Sequence, residues 1–142
     1  MKILVDGKID QAGINLLKAE HLVDTYQSLT QEELINIIAQ YDALIVRGDV
    51  VISKDVIEAG VNLKVIGRAG LEVDHIDIQA ATQKGIIVLN APQGSSASAI
   101  EYTLGMMLAL SRNIPQAYLS LKEGNWDRYK FIGSEIKDKV LG

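Results

Sequence analysis

The chain has 142 residues, a length typical of one domain, and its 48% of apolar residues exclude a disordered protein. Its net charge is −4, from 14 basic and 18 acidic side chains, which argues against binding to nucleic acid. There is no cysteine, so disulfides, thiolate metal sites and thiol nucleophiles are excluded.

The first predicted element is a short apolar strand that begins at Ile3 and meets an acid at Asp6. That acid comes too early for a secretory signal peptide. No apolar run in the chain approaches the ~18 residues that a membrane helix needs. We therefore expect a cytoplasmic protein without a membrane partner.

Five apolar runs rich in Val and Ile predict the strands of a parallel sheet. They begin at Ile3, Leu22, Ala43, Leu63 and Ile86, with 19 to 23 residues between successive starts. This interval suits a repeating unit of strand, turn and helix, and runs that are apolar throughout are typical of strands covered on both faces. The pattern predicts an open α/β fold with right-handed crossovers and, with five strands, a flavodoxin-like sheet.

The segments between the strands carry signals for helix starts. Asp10 is the predicted N-cap of the first helix, and residues 30–33 form a predicted capping box at the start of the second. Ser53 is the predicted N-cap of the third helix. Asp74 is the predicted start of the fourth, which we expect Gly85 to end.

After the fifth strand the pattern changes to helices. Residues 90–96 indicate a loop, and Ser98 and Glu101 have the spacing of a second capping box. The helix that follows is apolar almost all round, so it needs cover on several sides. Pro115 suits the first turn of a further helix, which we expect to end near Gly124.

Polar residues follow the third, fourth and fifth strands, whose carboxyl ends meet at the edge where open α/β sheets bind ligands. Arg47 could bind a carboxylate or a phosphate, or could be a solvated arginine. Arg68 lies in the segment 67–70, which contains two glycines. These glycines could let an anion approach the backbone closely or could adopt a positive φ, or they could simply form a tight turn. Asn90 and Ser95 offer further donors, or belong to a loop before a capped helix. The convergence of these loops predicts an anion site.

Other chemistry is not indicated by the sequence. His21 and His75 are isolated, so we assign them neither a metal nor a catalytic role. Glu101 is explained by its place in the capping box. The dinucleotide fingerprint G-x-G-x-x-G is absent.

Motifs in the later part of the chain resemble the D-2-hydroxyacid dehydrogenase family. The resemblance is dense from about residue 42 onward and mainly architectural before it. It implies an oxidoreductase that transfers a hydride between a 2-hydroxy acid and NAD. The segments that carry it are 63–70, 73–77, 80–86, 90–92, 107–117 and 124–128.

The family architecture implies a division of this chain. In that family the NAD-binding Rossmann domain is inserted within the sequence of the substrate domain. The resemblance therefore implies a substrate domain in residues 1–95, interdomain helices in 96–124, and in 125–142 a linker with the first strand of a truncated NAD domain. The family's glycine fingerprint and catalytic Arg, Glu and His would lie beyond Gly142. We expect this chain to be inactive and to bind no NAD, which would serve the full-length protein.

The resemblance also implies a substrate, 3-phosphoglycerate, which is a small anionic 2-hydroxy acid of serine biosynthesis. The backbone of Gly70, Leu71 and Glu72 would hold the carboxylate of this acid. Arg47 and Arg68 would bind its carboxylate or phosphate, and Arg128 would do so across a dimer. The sequence departs from the family pattern at Gly48, Leu71, Glu72 and Ser95. The alternatives are a glyoxylate or hydroxypyruvate reductase fragment and a non-enzymatic, corepressor-like binding module.

The apolar helix after Ser98 would lack its interdomain cover in this chain. An exposed apolar stripe of that size invites association. We therefore expect a homodimer or a higher oligomer, and exchanged helices are one way to form it.

Overall fold

The computed structural model describes residues 1–142 and divides them into two compact units. Unit 1 is Met1–Gly94 and unit 2 is Ser95–Gly142. Every buried side chain belongs to unit 1. The hydrophobic core therefore lies within the first 94 residues.

Unit 1 is built on a five-stranded sheet in which all neighbouring strands are parallel. The strand order is β2-β1-β3-β4-β5, which is the flavodoxin-like order. The predicted sheet is confirmed. The strands are β1 (Lys2–Asp6), β2 (Leu22–Tyr26), β3 (Ala43–Val46), β4 (Val65–Arg68) and β5 (Ile87–Asn90).

Four short helices connect the strands: α1 (Gln11–Lys18), α2 (Gln31–Ile37), α3 (Lys54–Ala59) and α4 (Ile78–Gln83). A 3₁₀ turn over Ile38–Gln40 follows α2 directly. The side chain of Asp10 caps α1, and Thr30 and Glu33 form the predicted reciprocal capping box on α2. Ser53 occupies the N-cap position of α3, but its hydroxyl instead accepts a hydrogen bond from the Gln31 side chain.

Helix α4 begins later than predicted. Its N-cap is Asp77, whose carboxylate accepts a hydrogen bond from the Ala80 N–H at 2.9 Å, so the prediction of Asp74 is wrong. The cause is a tertiary contact. The segment 75–77 forms a parallel bridge with Ile52, whose N–H donates to the His75 carbonyl and whose carbonyl accepts from the Asp77 N–H. This bridge holds the backbone extended until Asp77.

The two faces of the sheet are covered unequally. On one face, Leu4, Leu44 and Ile66 pack with side chains of α2, α3 and α4 in the larger core cluster. On the other face, the smaller cluster contains Ile3, Val5 and Ala43 with Ile14 of α1. Ile87 and Leu89 of β5 share this second face through the strand register, and they remain 60% and 57% exposed.

Unit 2 contains α5 (Ser96–Ser111), α6 (Ile114–Lys122) and a 3₁₀ turn over Arg128–Phe131. Ser95 is the N-cap of α5, so Ser98 lies inside the helix and the second predicted capping box is wrong. Pro115 lies in the first turn of α6, as predicted.

Unit 2 has no core of its own. Helix α5 has no buried side chain, and its Leu110 is 78% exposed, as expected for an apolar helix that lacks its interdomain cover. The segment 139–142 forms no strand, because no other strand pairs with it, and its Val140 is 97% exposed. None of the helices combines the length and the apolar character needed to cross a bilayer.

Candidate functional site

The carboxyl edge of the sheet aligns the ends of three strands. Arg68, the last residue of β4, is in register with Val46 of β3 on one side and Asn90 of β5 on the other. Arg47 follows Val46 directly. The register therefore gathers three predicted site residues, Arg47, Arg68 and Asn90, at one edge of the sheet.

The segment Gly70, Leu71 and Glu72, which we call the β4 loop, is fixed by its three carbonyl oxygens. The Gly70 carbonyl accepts a hydrogen bond from the Ala91 N–H at 2.9 Å. The Leu71 carbonyl accepts from the Asn90 side-chain amide at 2.6 Å. The Glu72 carbonyl accepts from Arg68 Nε at 3.3 Å. Each carbonyl is therefore bonded to the last residue of β4, to the last residue of β5, or to Ala91, which follows β5 directly.

The backbone N–H groups of the β4 loop have no hydrogen-bond acceptor on the protein. Leu71 and Glu72 are exposed, and Gly70 is half-buried. Successive free N–H groups beside a guanidinium form the kind of concavity that binds anions. The β4 loop and Arg68 together can therefore accept a carboxylate or a phosphate.

The sequence left several roles open for the glycines near Arg68. Neither Gly67 nor Gly70 has a positive φ, so positive φ is excluded, while close backbone approach and a simple tight turn remain. A Cβ atom on Gly70 would lie 3.6 Å from Arg68 Nε, an ordinary contact. The positive φ angles near the site belong instead to Gly7 (+104°) and Gly48 (+112°).

Arg47 is held through its backbone more than through its side chain. Its N–H donates to the Asp6 carbonyl at 2.8 Å, and its guanidinium makes one bond of 3.3 Å to the Lys8 carbonyl. The side chain is exposed and forms no ion pair. Because Arg68 also lacks an ion pair, both guanidinium groups remain available to an anion at this edge.

Asp6 is a residue of this edge that the sequence analysis missed. It is the one buried charged side chain, 2% exposed, and it accepts a hydrogen bond from the Leu29 N–H at 3.1 Å. Burial raises the pKa of Asp6, while bonds from the Leu29 and Gly7 N–H groups act in the opposite direction. The signal in the sequence was an acid at the end of an apolar strand. Because Asp6 is buried, we assign it to holding the segment after β2 in place through Leu29 and not to contact with a ligand.

The remaining predicted site residues lie in unit 2. Ser95 is the N-cap of α5. Arg128 donates a hydrogen bond of 2.9 Å to the Tyr129 hydroxyl, and its guanidinium lies 4.9 Å from the centre of that ring. Six predicted residues thus belong to unit 1, and two belong to unit 2.

Comparison with known proteins decides the family. Residues 3–139 match the sequence profile of the D-isomer specific 2-hydroxyacid dehydrogenase, catalytic domain. The chain belongs to the D-2-hydroxyacid dehydrogenase family. It is 51% identical over its full length to the D-3-phosphoglycerate dehydrogenase of Methanocaldococcus jannaschii, and 47% identical over 99% of its length to that of Synechocystis.

The chain spans about a quarter of these relatives, 27% of the Methanocaldococcus protein and 26% of the Synechocystis protein. Among solved structures, a 3-phosphoglycerate dehydrogenase of Entamoeba histolytica with bound NAD⁺ is 32% identical, with a TM-score of 0.74. The alignment covers 98% of this chain and 44% of that one.

The residues of this chain do not fit the NAD that the family implies. Dinucleotide sites use a glycine-rich turn between a strand and a helix. After β5 this chain forms only helices and turns, and G-x-G-x-x-G occurs nowhere in it. The site described here is suited to a small anion.

Proposed function

We propose that this chain is the substrate-binding part of an NAD-dependent oxidoreductase that acts on D-3-phosphoglycerate in serine biosynthesis, and that it is inactive alone. The observation that carries the proposal is the β4 loop, whose three carbonyls are bonded while its N–H groups are free beside Arg68. The identity to D-3-phosphoglycerate dehydrogenases supports the choice of substrate.

In this proposal the residues of the chain bind and orient the acid. The free N–H groups of the β4 loop hold the carboxylate, and the guanidinium groups of Arg47 and Arg68 neutralise the remaining negative charge. Asn90 keeps the loop in place through its bond to the Leu71 carbonyl. We assign Ser95 and Arg128 to substrate contacts that need the longer protein.

NAD supplies the acceptor for the hydride from C2 of the acid, and we place its binding in the longer protein. We expect residues 1–142 to produce no NADH when mixed with NAD and 3-phosphoglycerate. Formation of NADH above the rate of a protein-free blank would contradict this assignment.

Binding of the acid can be tested directly on this chain. We expect D-3-phosphoglycerate to shift the amide signals of the β4 loop in ¹H–¹⁵N NMR spectra of the protein. Arg68→Met should raise Kd about 10-fold or more, because a charge-assisted hydrogen bond is lost. Arg112→Met in unit 2 is the matched control and should leave Kd unchanged. If no amide signal of the loop shifts at the highest ligand concentration, the assignment of the acid to the β4 loop is wrong.

A second candidate function is that of a reductase fragment for a singly charged 2-keto acid such as glyoxylate or hydroxypyruvate. The observation that favours it is the exposed carboxylate of Glu72 in the loop, since a like charge opposes a phosphate. In the same NMR experiment this function predicts tighter binding of glyoxylate than of 3-phosphoglycerate.

We also infer that the chain associates with itself through α5. The helix exposes large apolar side chains, including Ile100 (60%) and Met106 (53%). Sedimentation velocity should show a homodimer or a higher oligomer, and Leu104→Gln with Leu108→Gln should shift it toward monomer. A monomer at the highest soluble concentration would contradict this inference.

A further inference from the structure

Glu72 is the only residue of the β4 loop that carries a charge, and this charge is of the same sign as that of the anion the loop is suited to bind. Its side chain is exposed and forms no ion pair. Its backbone takes part in the site twice, because its carbonyl accepts from Arg68 Nε and its N–H is free. The residue whose backbone is suited to hold an anion therefore also carries a negatively charged side chain.

We propose that Glu72 is a specificity-determining residue of this site. Its carboxylate weakens the binding of acids that carry a second negative group, relative to acids that carry the carboxylate alone. This inference rests on the proposed function for the position of the substrate carboxylate.

The covalent structure limits how far the Glu72 carboxylate can be from the ligand. An anion bound to the Glu72 N–H lies within the reach of that residue's own side chain. An anion on Arg68 is also near, since Arg68 Nε is bonded to the Glu72 carbonyl at 3.3 Å. Both predicted anchors of a phosphorylated acid are thus exposed to the same negative charge.

The repulsion grows with the charge of the ligand. D-Glycerate carries one negative charge, and a phosphate group adds about −1.5 to −2 at neutral pH. For exposed groups separated by several ångströms in water, the additional charges raise Kd on the order of fivefold. Such repulsion is screened by salt, because the Debye length falls from about 10 Å at 0.1 M to about 3 Å at 1 M.

The test compares two ligands that differ only in the phosphate. Kd values for D-glycerate and D-3-phosphoglycerate are measured on the 142-residue chain from the amide shifts of the β4 loop, at low and high salt. Glu72→Gln removes the charge and keeps the shape of the side chain. The matched control is Glu20→Gln, because Glu20 is an exposed acid at the opposite, amino ends of the strands.

We expect Glu72→Gln to lower Kd for 3-phosphoglycerate about fivefold more than Kd for glycerate at low salt, and this difference to shrink at high salt. Glu20→Gln should change neither ratio. Equal effects of Glu72→Gln on both ligands would overturn the proposal while leaving the proposed function intact. Absence of loop shifts with either ligand, in every variant, would instead reject the proposed function.

Discussion

At the scale of single residues, the candidate site depends on a close contact between two strand ends. Gly7 follows β1 with a φ of +104°, and its Cα faces the carbonyl of Arg47, which follows β3. The Gly7 N–H also donates to the Tyr26 carbonyl at 3.0 Å. The carboxyl ends of β1, β2 and β3 therefore meet at a position where only glycine fits.

Two glycine variants distinguish the cost of a positive φ from the cost of a steric collision at the Cβ atom. Gly7→Ala should lower the free energy of unfolding by roughly 3 kcal/mol, because its Cβ would collide with the Arg47 carbonyl as well as strain the backbone. Gly48→Ala has a similar φ of +112° but open space around its Cβ, so it should cost about 1 kcal/mol. Urea denaturation measures both; equal losses would show that the collision does not matter.

The contribution of the buried Asp6 carboxyl to the free energy of unfolding should fall as the pH rises. Burial raises its pKa above the ordinary 3.8, so the unfolded chain releases this proton first. The contribution of Asp6 to stability is present at low pH and is lost as the pH rises through the raised pKa. The stability of Asp6→Asn relative to the unchanged protein should therefore increase from about pH 3 to about pH 7. A flat difference in urea denaturation would contradict the pKa direction.

Sequence analysis could predict which candidate site residues lie together, because residue type and strand ends can both be read from the sequence. Arg47, Arg68 and Asn90 each come directly after, or at the end of, an apolar run, and parallel strands place such residues at one edge. The free N–H groups of the β4 loop could not be predicted, because they depend on bonds from Asn90 and Ala91, which lie about 20 residues away along the chain.

At the scale of elements, strands were easier to predict than helix starts. An uninterrupted apolar run has few alternatives to a buried strand when the runs recur at a regular interval. A helix start depends on one backbone position, and several polar residues compete for it. Asp77 forms the cap of α4 in place of Asp74 because of the bridge to Ile52, a contact between distant parts of the chain.

The two predicted capping boxes give a matched pair of variants. Thr30→Ala should cost about 1 kcal/mol, since Thr30 caps α2 reciprocally with Glu33. Ser98→Ala should change stability by less than about 0.5 kcal/mol, because Ser98 lies exposed within α5. Thermal or urea denaturation compares them. A large loss from Ser98→Ala would mean that α5 begins later than the structure shows.

The capping box also predicts an acid dependence. The N–H and hydroxyl of Thr30 lower the pKa of Glu33 below its ordinary 4.5. A lowered pKa contributes stability above the unfolded value, and this stability is lost as the pH falls through the folded one. The destabilisation by Thr30→Ala should accordingly become smaller in acid. An unchanged destabilisation would contradict the role of the ionised carboxylate.

At the scale of the whole chain, the stability is concentrated in unit 1. All buried side chains lie before residue 95, and both core clusters are built from the sheet and α1 to α4. In the Leu104→Gln, Leu108→Gln variant, which should be monomeric, amide hydrogen exchange should therefore show the strongest protection in β1, β3 and β4, and weaker protection in α5 and α6. Protection in α5 equal to that of β3 in this variant would contradict the concentration of stability in unit 1.

The unequal cover of the sheet has a consequence for solubility. Strand β5 ends the sheet, so one side of its backbone offers unpaired N–H and C=O groups. Ile86 and the first three residues of β5 form an uncharged run of Ile, Ile, Val and Leu, with Ile87 and Leu89 exposed on the open face. An open edge of this composition is a template for strand addition and aggregation. Any ligand, segment or subunit that covers β5 should therefore also protect the chain against fibril formation.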